Sequence, residues 1–141
     1  MFIEIDLTSS QAIYEQVVQQ IKFAIAAGAI QADEMIPSVR ELSRDLAINP
    51  NTVVRAYRAL QDERIVYARR GMGLSVMKDA QQRCLVERKD IFNQRFRQVF
   101  DDAVRSRLDP GEIRDIVEKL LVSIPENSTE TQQNSTAQGG R

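Results

Sequence analysis

The sequence predicts a mainly α protein with one small β-hairpin, an α+β chain in which helices outnumber strands. Three observations predict it. Apolar residues recur at helical spacing in five segments. Serine, asparagine or aspartate stands where helices should start. One glycine-bearing stretch is flanked by β-branched and aromatic residues.

The first helix is expected from Gln11 to Ala27, with Thr8, Ser9 and Ser10 offering capping oxygens and Gly28 a left-handed stop. Ile13, Val17, Ile21, Ala24 and Ile25 form its apolar stripe. A second helix opens at Pro37-Ser38, where Ser38 and Glu41 have capping-box spacing, and buries Val39, Leu42 and Leu46. A third starts at Asn49-Pro50 and runs to about Glu63, because asparagine caps well and the first helical residue needs no amide. Two helices joined by so short a turn form a helix-turn-helix. Ile65-Val66-Tyr67 and Leu74 to Met77 then flank Arg69-Arg70-Gly71-Met72-Gly73, a hairpin placed where a wing belongs. Two further helices, Ala80 to Arg107 and Pro110 to Ser123, follow, the latter capped by Asp109 with Glu112. The expected division is residues 1–78, a winged helix-turn-helix; 79–124, a two-helix segment; and 125–141, a disordered tail of polar residues.

Composition removes several functions. No histidine occurs, so Ser-His-Asp and Cys-His catalysis and imidazole metal ligation are excluded. The single cysteine, Cys84, can form neither an internal disulfide nor a thiolate zinc site, and fits a reducing cytoplasm. No phosphate-cradling glycine loop, signal-peptide pattern or apolar run of about 20 residues appears. A binding protein without cofactor, metal or membrane partner is expected, not an enzyme. The net charge of −1 does not suggest a nucleic-acid partner, but its distribution permits one: between Ser38 and Arg70 seven arginines face four acids, a pattern that a solvated mixed-charge surface also explains.

On a helical wheel the third helix turns Val53, Ala56, Tyr57 and Leu60 inward. Asn51, Arg55 and Arg58 share the opposite face, with Thr52 beside them. Asparagine pairs with adenine and arginine with guanine, while the threonine hydroxyl donates to a base edge or its methyl touches that of thymine. Each also has a purely structural role open to it: Asn49 and Ser38 as caps, the arginines as solvated surface, Arg40 as a partner of Glu41 or Asp45, and Arg69 and Arg70 as solubilising groups at a hairpin tip.

Taken together, Ile13-Tyr14-Glu15-Gln16, Pro37-Ser38-Val39-Arg40-Glu41-Leu42, Asn49-Pro50-Asn51-Thr52-Val53 with Ala56-Tyr57, and Gly71-Met72-Gly73 resemble a GntR-type regulator. The Asn-Pro-Asn-Thr element and the short helical C-terminal part look most like the YtrA subfamily. The resemblance implies DNA contact by Arg40, Asn49, Asn51 and Thr52, and close approach of the Gly71 and Gly73 backbone to the minor groove. It also implies repression of a neighbouring operon, often one for a membrane transporter. Two positions depart from the pattern. Leu46-Ala47 replaces the usual Leu-Gly, with Ala47 expected in a right-handed turn, and Met72 and Leu74 replace the Lys or Thr often found in the wing.

The apolar stripes of the last two helices exceed what a two-helix hairpin can bury. Leu85, Phe92, Phe96 and Val99 with Ile116 and Leu120 are therefore expected to form a twofold dimer interface, although packing on the winged domain is the competing use. A dimer would read a palindromic operator in double-stranded DNA, with an unidentified small-molecule effector placed at the dimer seam. The other readings are a winged-helix module that binds a protein partner through its C-terminal helices, which would carry apolar anchors on the third helix, and an RNA-binding winged helix, which would present stacking aromatics.

Overall fold

The computed structural model describes residues 3–125; the expected disordered tail, beyond Pro125, lies outside the described residues. The elements are α1 (Ile13–Ala26), α2 (Val39–Leu46), α3 (Pro50–Asp62), β1 (Val66–Arg69), β2 (Gly73–Val76), α4 (Ala80–Arg105) and α5 (Pro110–Val122). They fall into two compact units, one ending at Gln94 and the other beginning at Arg95. The first unit thus takes in the opening turns of α4 instead of ending at residue 78. The reason is packing: Ala80 and Cys84 are buried in its core and Leu85 lies against it.

Local chemistry sets most element boundaries. Helix α1 departs from expectation, since its N-cap is Ala12 and no side chain caps it. The Thr8 hydroxyl and amide instead donate to the Asp6 carboxylate (2.6 and 2.9 Å), a bond that pulls the Asp6 pKa down. The buried Gln16 then ties this segment to α1, accepting from the Asp6 amide (2.9 Å) and donating to the Asp6 and Gln11 carbonyls. Gly28 supplies the left-handed stop expected of it (φ 79°).

Helix α2 opens with the full capping box: Ser38 Oγ accepts from the Glu41 amide (3.1 Å) and Glu41 Oε2 from the Ser38 amide (3.3 Å). It closes on Ala47, whose backbone is left-handed (φ 52°, ψ 44°), not right-handed as expected. The Ile48 amide reaches back to the Ser43 carbonyl (3.1 Å), a closure that requires the left-handed residue. Helix α3 starts as its sequence dictates, with Asn49 Oδ1 accepting from the Asn51 amide (2.9 Å) and Pro50 in the first turn.

The two strands pair antiparallel, Val66 opposite Val76 and Arg69 opposite Gly73. Residues 33–36, expected as loop, line the other side of β2. The Asp33 amide donates to the Val76 carbonyl (2.8 Å), the Val76 amide to Glu34 (2.9 Å), and the Ile36 amide to Leu74 (3.0 Å). The wing is therefore anchored along both edges of β2. Val17, Ile21 and Ile25 from α1, Leu42 from α2, Val53, Ala56 and Leu60 from α3, and Ile65, Val66 and Val76 from the hairpin region form one buried core. At about 25 cal/mol per Å² of apolar surface, this burial is the main term holding α3 in place. The Tyr57 hydroxyl adds a bond to the Pro37 carbonyl (2.6 Å), and burial pushes its pKa well above the usual phenol range.

In the second unit, Arg107 (φ 64°) ends α4 and Asp109 caps α5 through a second capping box, its carboxylate accepting from the Glu112 amide (2.9 Å). Helix α5 buries no residue. No helix among the described residues is long and apolar enough to cross a membrane.

Candidate nucleic-acid interface

The inward face of α3 is fixed by Val53, Ala56, Tyr57 and Leu60, all buried, so the opposite face must meet solvent. Asn51, Arg55 and Arg58 stand there, exposed, with Thr52 half-buried at the edge. The side chains of Asn51 and Arg58 make no hydrogen bond or ion pair among the described residues. Arg55 differs: its guanidinium lies 3.9 Å from the centre of the Tyr14 ring, a cation–π contact that holds it toward α1. Two of the three arginine and asparagine side chains on this face are thus free to engage a partner, and the third is held on an aromatic ring.

Around this face the other residues divide by use. Ser38 and Asn49 are committed as caps through their oxygens, which leaves the Asn49 amide nitrogen as a donor. Arg40, in the first turn of α2, is exposed and has no ion pair among the described residues; Asp45 is paired with Arg44 instead (3.6 Å). On the wing, Arg69 and Arg70 are exposed and likewise unpaired. The hairpin turns through a Met72 amide bond to the Arg69 carbonyl (3.0 Å), which needs Gly71 at φ 75°. A side chain at Gly71 would meet nothing within 4 Å, so the conformation alone demands glycine there. At Gly73 (φ 119°) a Cβ would also come within 3.1 Å of the Met35 methyl. Met72 at the tip is 60% exposed.

The residues expected at a dimer seam are not one set. Leu85 is half-buried against the core of the first unit, the competing use of the stripe. Phe92 stacks on Phe23 of α1 with ring centroids 5.7 Å apart. Phe96, Val99, Ile116 and Leu120 are exposed, as is Val117 of the same stripe, and in the second unit so are Phe100, Val104 and Leu121, which the stripes do not include.

Sequence reasoning missed a charge cluster altogether. The Lys22 ammonium, 6% exposed, pairs with Glu63 at the end of α3 and with Glu87 of α4 (2.9 Å). Burial pulls the Lys22 pKa down, but the two carboxylates outweigh it and leave the pKa above the ordinary value. Arg83 of α4 donates to the carbonyls of Glu63 and Arg64, capping the C-terminal end of α3. These partners lie 65 positions apart in the case of Lys22 and Glu87, so no local pattern marks them.

A three-helix core with an exposed polar third helix and a glycine-turned hairpin defines a winged helix-turn-helix protein. Residues 13–76 match the model for bacterial regulatory proteins of the gntR family. The chain is 30% identical to the transcriptional repressor YtrA of Bacillus subtilis, over 86% of this chain and 94% of that one. The chain belongs to the GntR family and is a DNA-binding transcriptional regulator. Among solved structures, a GntR family transcriptional regulator from Listeria monocytogenes is 31% identical, with a TM-score of 0.67 over 80% of this chain and 98% of that one. YtrA from Sulfolobus acidocaldarius, a GntR-family transcription factor, is 33% identical, with a TM-score of 0.53 over 65% of this chain and 95% of that one.

Proposed function

We propose that the chain is a dimeric repressor that binds a palindromic operator in the cytoplasm and controls a neighbouring operon, without catalysing a reaction. The observation that carries the reading is the uncommitted polar face of α3. Asn51 and Arg58 project from a helix whose other face is locked in the core, and neither has a partner among the described residues. In this reading Asn51, Thr52 and Arg58 read base edges, and Arg55 joins them by leaving the Tyr14 ring. Arg40, Arg69 and Arg70 hold phosphates, and the Ser38 and Asn49 caps fix the angle at which α2 and α3 approach the duplex. Gly71 and Gly73 keep the wing tip narrow. No large apolar anchor stands on the exposed face of α3, which favours DNA over a protein partner there.

Dimerisation is supported by the second unit, whose apolar side chains Phe96, Val99, Ile116 and Leu120 are half or more exposed. Repression is supported by the likeness to the Bacillus subtilis repressor along nearly its whole length. The test is fluorescence anisotropy against the DNA upstream of the chain's own gene and a shuffled duplex, at a fixed salt of about 150 mM. Binding to the native duplex about 10³-fold tighter or more supports an operator there. Equal, weak binding to both contradicts control of the adjacent operon.

A further inference from the structure

A cleft of about 340 Å³ opens between α1, α3 and the first turns of α4, with Tyr14, the ring that carries Arg55, in its lining. Lys22 lies at its floor, bound to Glu63 and Glu87. The ammonium is almost wholly buried, whereas the two carboxylate side chains are 48% and 45% exposed. A molecule entering the cleft therefore meets the carboxylates and not the lysine. Glu15 adds a third carboxylate at the rim, and Arg88 is the only other cation in the lining, so negative charge is in excess by one. Val18, Phe23 and Ile91 supply the large apolar side chains of the lining, beside the polar Gln11, Tyr14 and Gln19.

We propose that this cleft binds a small organic ammonium ion with an apolar body. The ammonium pairs with the exposed oxygens of Glu63 and Glu87, and the body packs on Val18, Phe23 and Ile91. The size agrees, since a cavity of roughly 150 Å³ holds a benzene ring and this one has room for a ring with a short charged arm. A consequence follows from where the carboxylates are anchored. Glu63 is the C-cap of α3 and Glu87 belongs to α4, which Arg83 also fastens to the end of α3. A second cation on the carboxylates weakens their hold on Lys22 and loosens the joint that aims the recognition helix. Ligand and DNA binding are then linked, each weakening the other by the same factor. That consequence rests on the DNA-binding reading; ligand binding does not.

The experiment is a calorimetric titration of the full chain, without DNA, using phenethylammonium and the size-matched anion 3-phenylpropionate. One saturable site for the cation, with the anion at least about tenfold weaker, is expected. Glu87→Gln should weaken the cation about tenfold. Lys22→Met, which removes the competing buried ammonium, should strengthen it, and a lesion that merely disturbed the fold would not give these opposite signs. Circular dichroism melts of both variants confirm that they are folded. No saturable binding below about 10 mM, equal affinity for cation and anion, or an unchanged Glu87→Gln overturns the site. Anisotropy on operator DNA with saturating phenethylammonium then tests the linkage. A loss of affinity of about threefold or more is expected, and an unchanged affinity overturns the linkage while leaving the site.

Discussion

Ala47 occupies a left-handed backbone position that an L side chain tolerates poorly. The strain is about 1–2 kcal/mol, and glycine would relieve it at an entropic cost of about 0.4–1 kcal/mol in the unfolded chain. Ala47→Gly should therefore stabilise the first unit by roughly 0.5–1 kcal/mol, read as a higher urea midpoint at unchanged slope. A destabilised variant would contradict the left-handed assignment. Nothing in Leu46-Ala47-Ile48 reveals this, because alanine is a good helix former and the demand comes from the closure of the Ile48 amide on Ser43. Cys84 makes a second prediction. Burial pushes its thiol up to about 11, so the reactive thiolate is scarce near neutral pH. Alkylation of the folded protein by iodoacetamide should be slow at pH 7–8 and accelerate only as the pH approaches that value. Fast labelling at pH 7.5 would show that Cys84 is not held in the core.

Among the elements, those announced by short-range signals were legible. The Ser38–Glu41 box, Asn49-Pro50, the Asp109–Glu112 box and the glycine turn of the wing each involve groups within a few residues of one another, and each forms as read. Removing one such signal should cost what the bond contributes: Ser38→Ala should destabilise by about 0.5–2 kcal/mol in urea unfolding. A loss near zero would mean that α2 is held by Leu42 and its neighbours alone. The third partner of the sheet, residues 33–36, was not legible. Its pairing is spread over Asp33, Glu34 and Ile36, and the left-handed Asp33 (φ 65°) breaks any strand pattern. The packing of Leu85 on the winged core was not legible for a related reason. A helical stripe shows which residues share a face, but not that the beginning of α4 packs on the winged core while its later residues belong to another unit.

For the whole molecule, the proposed function needs two things the winged unit alone lacks: a second copy and an operator. The proposed dimer rests on exposed side chains, which makes it testable without harm to folding. Leu120 is 62% exposed, so Leu120→Arg should change monomer stability by no more than about 0.5 kcal/mol. It should nonetheless shift sedimentation equilibrium from dimer to monomer. A dimer that survives would place the interface elsewhere. The central claim is that the outer face of α3 reads sequence, and Asn51 tests it most directly, because its side chain supports nothing else among the described residues. The measurement is the affinity of Asn51→Ala for the operator and for a shuffled duplex, at one salt concentration. The expected result is a loss of about 1–3 kcal/mol on the operator alone, with the shuffled duplex bound as before. An equal loss on both duplexes, or none on either, would contradict it.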